Sequence, residues 1–137
     1  MKTIILAGLL CLVPAAAFAC EGENHAEANI KKVTVAQLAK DTQVKIFDAN
    51  SDSFRAKHGV IPGAILLTSS SSYDLSVLPQ KKDAPIVFYC SNTMCNASEG
   101  AAQRAVEAGH TNVAVLPDGL KGWKAAGQKT ASVKPST

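Results

Sequence analysis

Between Pro85 and Gly109 the spacing of apolar positions changes from that of a strand to that of a helix. Ile86-Val-Phe-Tyr89 is a short apolar run of β-branched and aromatic side chains, which suits a strand buried on both faces of a parallel sheet. Ala97, Ala101, Ala102, Ala105 and Ala108 then recur three to four apart, one apolar stripe of a helix, and Gly109 supplies its stop. The polar residues between, Ser91 to Asn96, form a strand-to-helix loop that begins with Cys90.

The same alternation runs through the rest of the chain. Lys32–Val35 is a short strand candidate, and Thr34 with Gln37 makes a capping box for a helix over Val35–Lys40. Val44–Asp48 is a second strand ending on a carboxylate, followed by Ser51 or Asp52 as cap of a single turn over Phe54–Lys57. The turn His58-Gly59-Val60-Ile61-Pro62-Gly63-Ala64 leads to strand Ile65–Leu67. Ser69 to Ser72 are a polar loop, and Tyr73–Leu78 predicts one more helix. Asn112–Leu116 is the last strand, and Leu120–Ala126, carrying Trp123 and stopped by Gly127, is the last helix. Lys129–Thr137 is a polar tail expected to be mobile. Strands alternating with helices predict an α/β fold, a parallel sheet with helices on both faces, and no internal repeat interrupts it.

The beginning of the chain has a different character. Lys2, the apolar run Ile4–Val13 and Ala17-Phe18-Ala19 have the form of a secretory signal peptide over residues 1–19. That run is shorter than the ~20 apolar residues a permanent span needs. Cleavage after Ala19 leaves 118 of the 137 residues, enough for one domain. The expectation is an exported protein, periplasmic if bacterial. Cys20 would then come first and raises the question of lipid anchoring. A bacterial lipoprotein signal usually has Leu three residues before that cysteine and a small residue between, whereas Ala17 and Phe18 stand there. Ordinary cleavage is favoured.

Residues 20–29 are polar and aperiodic, a linker before a domain over residues 30–128, and Cys20 with His25 shows no regular metal-ligand spacing. Of the four cysteines Cys11 leaves with the signal, and an odd number does not describe a disulfide framework. The formal net charge of +3, without a clustered basic face or an aromatic platform, gives no sign of a nucleic-acid partner.

Cys90 is the residue whose setting suggests chemistry. Free N–H groups and the dipole at a helix N-terminus favour negative charge. A cysteine there can have its pKa lowered from ~8.5 to roughly 3.5–7.5, which makes it a nucleophile. Ligand crevices of open α/β sheets lie at the carboxyl ends of strands, where parallel strands also bring Asp48 and Asp118 together with Cys90. The plainer alternative is a small core residue closing a buried strand.

From Val33 to Gly127 the chain resembles the rhodanese-like family of sulfurtransferases. The resemblance rests on four marks in order. They are Asp48 closing an early strand, the His58–Ala64 turn close to the family's Gly-His-Ile-Pro-Gly-Ala, the Tyr89-Cys90 loop, and Asp118-Gly119-Leu120-Lys121-Gly122-Trp123 where the family has Gly-Gly-Ile-x-x-Trp. It implies a sheet of about five parallel strands and a Cys90 that accepts a sulfane sulfur as a persulfide and passes it on. Ser91, Asn92, Thr93, Met94, Cys95 and Asn96 would form the sulfur-binding loop. The partners implied are a small sulfane-sulfur donor and a thiol, cyanide-like or protein acceptor, with no metal or organic cofactor.

The departures matter equally. Asn50 stands where the family often has Arg after its early strand. Ser91 and Cys95 stand where common loops carry cations, so an oxyanion such as thiosulfate loses charge-assisted hydrogen bonds worth ~1.5–3 kcal/mol each. Poor activity with thiosulfate is expected, and a persulfide or polysulfide donor fits better. A related branch uses Cys-x5-Arg for phosphate or arsenate, but Asn96 holds the arginine's place. Cys95 is a candidate resolving thiol through a Cys90–Cys95 disulfide, or else a small residue packed at the helix start or half of a static disulfide in an oxidising compartment. The alternatives to a sulfurtransferase are a thiol-disulfide redox protein using Cys90 and Cys95, a sulfur carrier docking a partner, and a non-catalytic binding module. His58 reads as a structural hydrogen-bonder and Trp123 as packing. Lys121 is a candidate substrate cation. Ser98 and Thr93 can donate hydrogen bonds to the loop or cap the helix, with capping the default, Asp48 and Asp118 read as turn and cap residues, and His110 as a residue favouring a helix C-terminus.

Overall fold

The computed structural model describes residues 30–133. The expected signal segment, the linker through Asn29 and the last four residues of the tail lie outside them. Five parallel strands form one sheet: β1 (Lys31–Lys32), β2 (Lys45–Asp48), β3 (Ile65–Leu66), β4 (Ile86–Tyr89) and β5 (Val113–Leu116), in the order β1-β5-β4-β2-β3. Four helices connect them: α1 (Val35–Leu38), α2 (Asp52–His58), α3 (Ala97–Glu107) and α4 (Gly119–Ala125). Asp48 pairs with Tyr89, and Tyr89 with Leu116. The carboxyl ends of β2, β4 and β5 therefore share one rim, as the parallel reading required.

Strand periodicity divides the core in two. Ile86, Phe88 and Cys90 face a cluster with Phe47, Val115 and the alanine stripe Ala101, Ala102 and Ala105 of α3. Val87 and Tyr89 face Val35 and Leu38 of α1, Ile61, and Leu120 and Trp123 of α4. A central strand covered on both sides must be apolar throughout, and all four residues of β4 are buried. Each large side chain hidden there stabilises by about 1.5–3 kcal/mol.

The other elements differ from expectation in instructive ways. The capping box forms, with Thr34 Oγ1 accepting from Gln37 N–H at 3.3 Å and Gln37 Oε1 accepting from Thr34 N–H at 2.9 Å. Ser51 caps α2, accepting from Phe54 N–H, and α2 runs to His58, longer than a single turn. The helix expected over Tyr73–Leu78 is only a 3₁₀ turn at Leu75–Val77. Tyr73 is drawn into the core instead. Its hydroxyl donates to the Ala101 carbonyl at 2.8 Å, the Arg104 guanidinium covers its ring, and burial pushes its pKa up to about 12 against the opposing pull of Arg104.

His110 is not a helix-terminal cation. Burial first, then the nearby Lys82, lowers its pKa. The expected free tail is also fastened in its first part: Lys129 O accepts from Trp123 Nε1 at 2.8 Å, and Ala131 exchanges two 2.9 Å backbone bonds with Val60.

Candidate active site

Asp48 ends β2 fully buried, so its charge needs partners. Arg55, brought over it by α2, supplies them. Its Nε donates to Asp48 Oδ1 at 3.3 Å, and one terminal nitrogen donates at 2.8 Å to the carbonyls of both Asp48 and Leu67. The other terminal nitrogen reaches Asp52 at 2.8 Å. Asn50 N–H donates to Asp48 Oδ1 at 2.7 Å, the turn geometry read from the sequence. Tyr89 O–H donates to Asp48 Oδ2 and accepts from Ile61 N–H at 3.0 Å. Burial, then the Asp48 charge, holds the Tyr89 hydroxyl protonated far above its ordinary range. One carboxylate thus ties β2, α2, the strand end before Leu67, the His58–Ala64 turn and β4 together, one residue before Cys90. Arg55 and Tyr89 in these roles were missed: the strand and helix patterns name both residues, but only the sheet register brings them to Asp48.

Cys90 follows β4 and is 1% exposed. Its thiol donates to the Cys95 carbonyl at 3.0 Å, and Ser98 Oγ donates to its sulfur at 3.5 Å. Ser98, in the first turn of α3, is therefore a sulfur ligand and not a cap. Its backbone N–H also faces that sulfur, while Asn96 at the helix start makes no side-chain cap bond. The loop is folded on itself: Asn92 O accepts from Cys95 N–H at 3.1 Å, and Asn92 Oδ1 accepts from Met94 N–H at 2.9 Å. Thr93 and Met94 stand exposed at its tip, Met94 at 93%.

Acidification falls on the other thiol. Burial pushes Cys90 up, its hydrogen bond with Cys95 adds to that, and Ser98 only partly opposes it. For Cys95 burial also disfavours ionisation, but hydrogen bonds from the Cys90 thiol, the Ala97 N–H and Ser91 outweigh it and hold the pKa low. The helix N-terminus acts as expected, yet its strongest effect lands at Cys95, which is half-buried. Both thiols are free.

Helix α4 clamps the other side of the loop. Leu120 N–H donates to the Cys90 carbonyl and Lys121 N–H to the Ser91 carbonyl, both at 2.9 Å. Gly119 permits this approach with φ +57°, and a Cβ there would lie 2.5 Å from the Cys90 carbonyl oxygen. Asp118 precedes it without a side-chain cap bond. The cations that the loop lacks stand beside it: Lys121 and Lys124 of α4, with His58, line a cleft against Ser91 and Asn92. Asn50, in the place of the family's arginine, is 8% exposed and its Nδ2 has no partner. Among the described residues no group of metal-ligating side chains assembles and no helix is long and apolar enough to cross a membrane.

Comparison with known proteins matches this architecture. The family model of the rhodanese-like domain matches residues 32–126. No curated protein matches. Among solved structures, the rhodanese-like domain of an Anabaena protein superposes with a TM-score of 0.62 at 22% identity, over 77% of this chain and 85% of that one. Thiosulfate sulfurtransferase from Pseudomonas aeruginosa superposes with a TM-score of 0.61 at 21% identity, over 80% of this chain and 21% of that one. A protein of unknown function from Rhodopseudomonas palustris, a possible tyrosine phosphatase, gives 0.62 at 24% identity over 75% of this chain and 86% of that one.

Proposed function

The chain belongs to the rhodanese-like family, and from that premise we propose that it is a sulfurtransferase working through a persulfide on Cys90. The observation that carries this reading is the placement of Cys90. It ends the central strand with its sulfur facing Ser98 Oγ and the Ser98 N–H at the start of α3. The Cys90 thiolate attacks the outer sulfur of a persulfide R–S–SH. A Cys90–S–S bond forms, the bond from that sulfur to R–S breaks, and R–S⁻ leaves. A thiophilic acceptor then attacks the outer sulfur and Cys90 departs as thiolate. No net oxidation or reduction occurs across the two steps.

The Cys95 carbonyl fits the resting thiol and not the charged states. At 3.0 Å it accepts the Cys90 proton. With that proton gone, two negative ends face each other, so the carbonyl turns away before Cys90 reacts. The donor is a persulfide or polysulfide, because the loop offers no guanidinium or ammonium to the oxygens of thiosulfate. Cyanide-coupled turnover of the two donors tests this: a persulfide should be used at least tenfold faster than thiosulfate, a margin below one charge-assisted hydrogen bond of ~1.5–3 kcal/mol. Equal rates would contradict it.

One observation favours a second reading. Cys90 and Cys95 are free, in one loop and in hydrogen-bond contact, with pKa values moved in opposite directions. Attack of Cys95 on the inner sulfur of a Cys90 persulfide would give the Cys90–Cys95 disulfide and release HS⁻, a thiol-disulfide cycle on the same residues.

A further inference from the structure

Cys90 and Cys95 are both free, and their side chains are in hydrogen-bond contact inside one loop. Each sulfur also has donors of its own. Ser98 Oγ and the Ser98 N–H face Cys90, while the Ala97 N–H and Ser91 face Cys95. The space between the two sulfurs is thus bounded by soft ligand atoms whose other sides already have partners. We propose that this pair binds a soft monovalent metal ion, Cu(I), held between the Cys90 and Cys95 thiolates in two-fold coordination. The proposal stands apart from the transferase reading, because the thiols act as ligands and no sulfur is transferred.

Ligand type and ligand number both select that ion. Thiolates favour Cu(I) over hard cations such as Mg²⁺ or Ca²⁺, and Zn²⁺ in protein sites asks for three or four protein ligands. Among the described residues no group of three or more His, Cys, Asp or Glu side chains assembles. The other soft donor of the loop, Met94, stands 93% exposed. Cu(I) has a filled d shell and is satisfied by two thiolates in line. Cys95 is half-buried and gives the ion its way in.

Charge points the same way. On binding, both thiol protons leave to solvent and no electron moves. The S–Cu–S unit then carries one negative charge, as does a thiolate sharing the other thiol's proton, so Cu⁺ takes the place of H⁺. The N–H and O–H groups that face the sulfurs, and the start of α3, favour such a charge. From Ser91 to Asn96 the loop has no lysine or arginine to repel an entering cation. Cys90 is 1% exposed in the cluster of Phe88, Ala101 and Val115, with Cys95 and Ala97 packed against it. That apolar shell limits the access of water and hard anions to the ion. The Cys95 carbonyl, which takes the Cys90 proton at 3.0 Å in the resting loop, turns away once the metal has replaced that proton.

Anaerobic competition of the reduced chain against bicinchoninate for Cu(I), read from the colour of the chelator complex, tests the site. The native chain should withdraw Cu(I) from the chelator. Cys90→Ser and Cys95→Ser should each bind at least roughly hundredfold more weakly, since losing a ligand costs more than the ~10–100-fold of losing an outer-shell partner. Cys11→Ser/Cys20→Ser and Met94→Leu chains should bind as the native one does. Native affinity in Cys90→Ser or Cys95→Ser, or its loss in the Cys11→Ser/Cys20→Ser chain, would overturn the proposal.

A second measurement separates a built site from two thiols that merely come within reach. An ion that prefers the folded chain stabilises it, so one equivalent of Cu(I) should raise the urea midpoint of the native protein and leave that of Cys95→Ser in place. X-ray absorption at the copper edge should show two sulfur neighbours and no nitrogen or oxygen. An unchanged native midpoint, or a third ligand on the copper, would overturn the proposal. Copper binding in a chain whose Cys90 never gains sulfur would keep this site and remove the transferase reading. Sulfur loading without copper binding would do the reverse.

Discussion

Tyr89 carries two loads at once. Its ring fills the core between β4 and the Ile61 turn, and its hydroxyl is both donor to Asp48 and acceptor from Ile61. Replacement by Phe keeps the packing but leaves one buried carboxylate oxygen and one buried N–H short of a partner. Tyr89→Phe should cost about 1–3 kcal/mol, read as a lower urea midpoint at unchanged slope. An unchanged midpoint would mean that the network does not hold the rim.

The two cysteines differ in the opposite sense from a simple helix-terminus rule. Burial disfavours the charged form of Cys90, so its thiolate forms only above the ordinary thiol value near 8.5, whereas that of Cys95 forms below it. With iodoacetamide on the reduced protein, Cys95 should be modified first at pH 7. The Cys90 rate should rise and level off at higher pH than the Cys95 rate. Faster modification of Cys90 at pH 7 would contradict this assignment.

At the scale of elements, the active loop is held between α3, which faces its sulfurs, and α4, which bonds its carbonyls. Gly119→Ala would put a methyl 2.5 Å from the Cys90 carbonyl and 2.8 Å from Asn92 N, at a positive φ. Either α4 or the loop must move. Persulfide formation at Cys90 should fall at least tenfold while the far-UV circular dichroism is kept, since the atoms nearest that methyl belong to the loop, Cys90 to Asn92. Full loading in Gly119→Ala would show that the clamp is dispensable.

These elements were legible to different degrees, for physical reasons. The apolar run at β4 and the alanine stripe of α3 are local patterns that burial on two faces imposes, and both stand within a residue of expectation. The glycine of Asp118-Gly119 was visible as a motif, but its reason is a backbone approach from a strand twenty-nine residues earlier. Tyr73 was read as the start of a helix over Tyr73–Leu78. Its hydroxyl partner, Ala101, lies far along the chain. Asp48 was read as a turn former, which is half its role. Arg55 fell within the single turn expected over Phe54–Lys57, and no local pattern distinguishes it from a solvated arginine.

For the molecule as a whole, the sheet sets where chemistry can occur and the loop sets which chemistry. One face of the sheet is closed by α3 and the other by α1, α2 and α4, and the strand ends meet at a single rim. Solved structures at 21–24% identity share this frame, so the frame tolerates wide sequence change. This chain's loop, with no cation and a second cysteine, specialises it. The central claim is that Cys90 accepts a sulfane sulfur.

The most direct measurement is the intact mass of the reduced protein after brief exposure to a low-molecular-weight persulfide, beside Cys90→Ser and Cys95→Ser. The account predicts gain of one sulfur atom in the native protein and in Cys95→Ser, released by cyanide, and no gain in Cys90→Ser. A cyanide-labile sulfur that persists in Cys90→Ser, or a native protein and Cys95→Ser variant that never gain one, would contradict it.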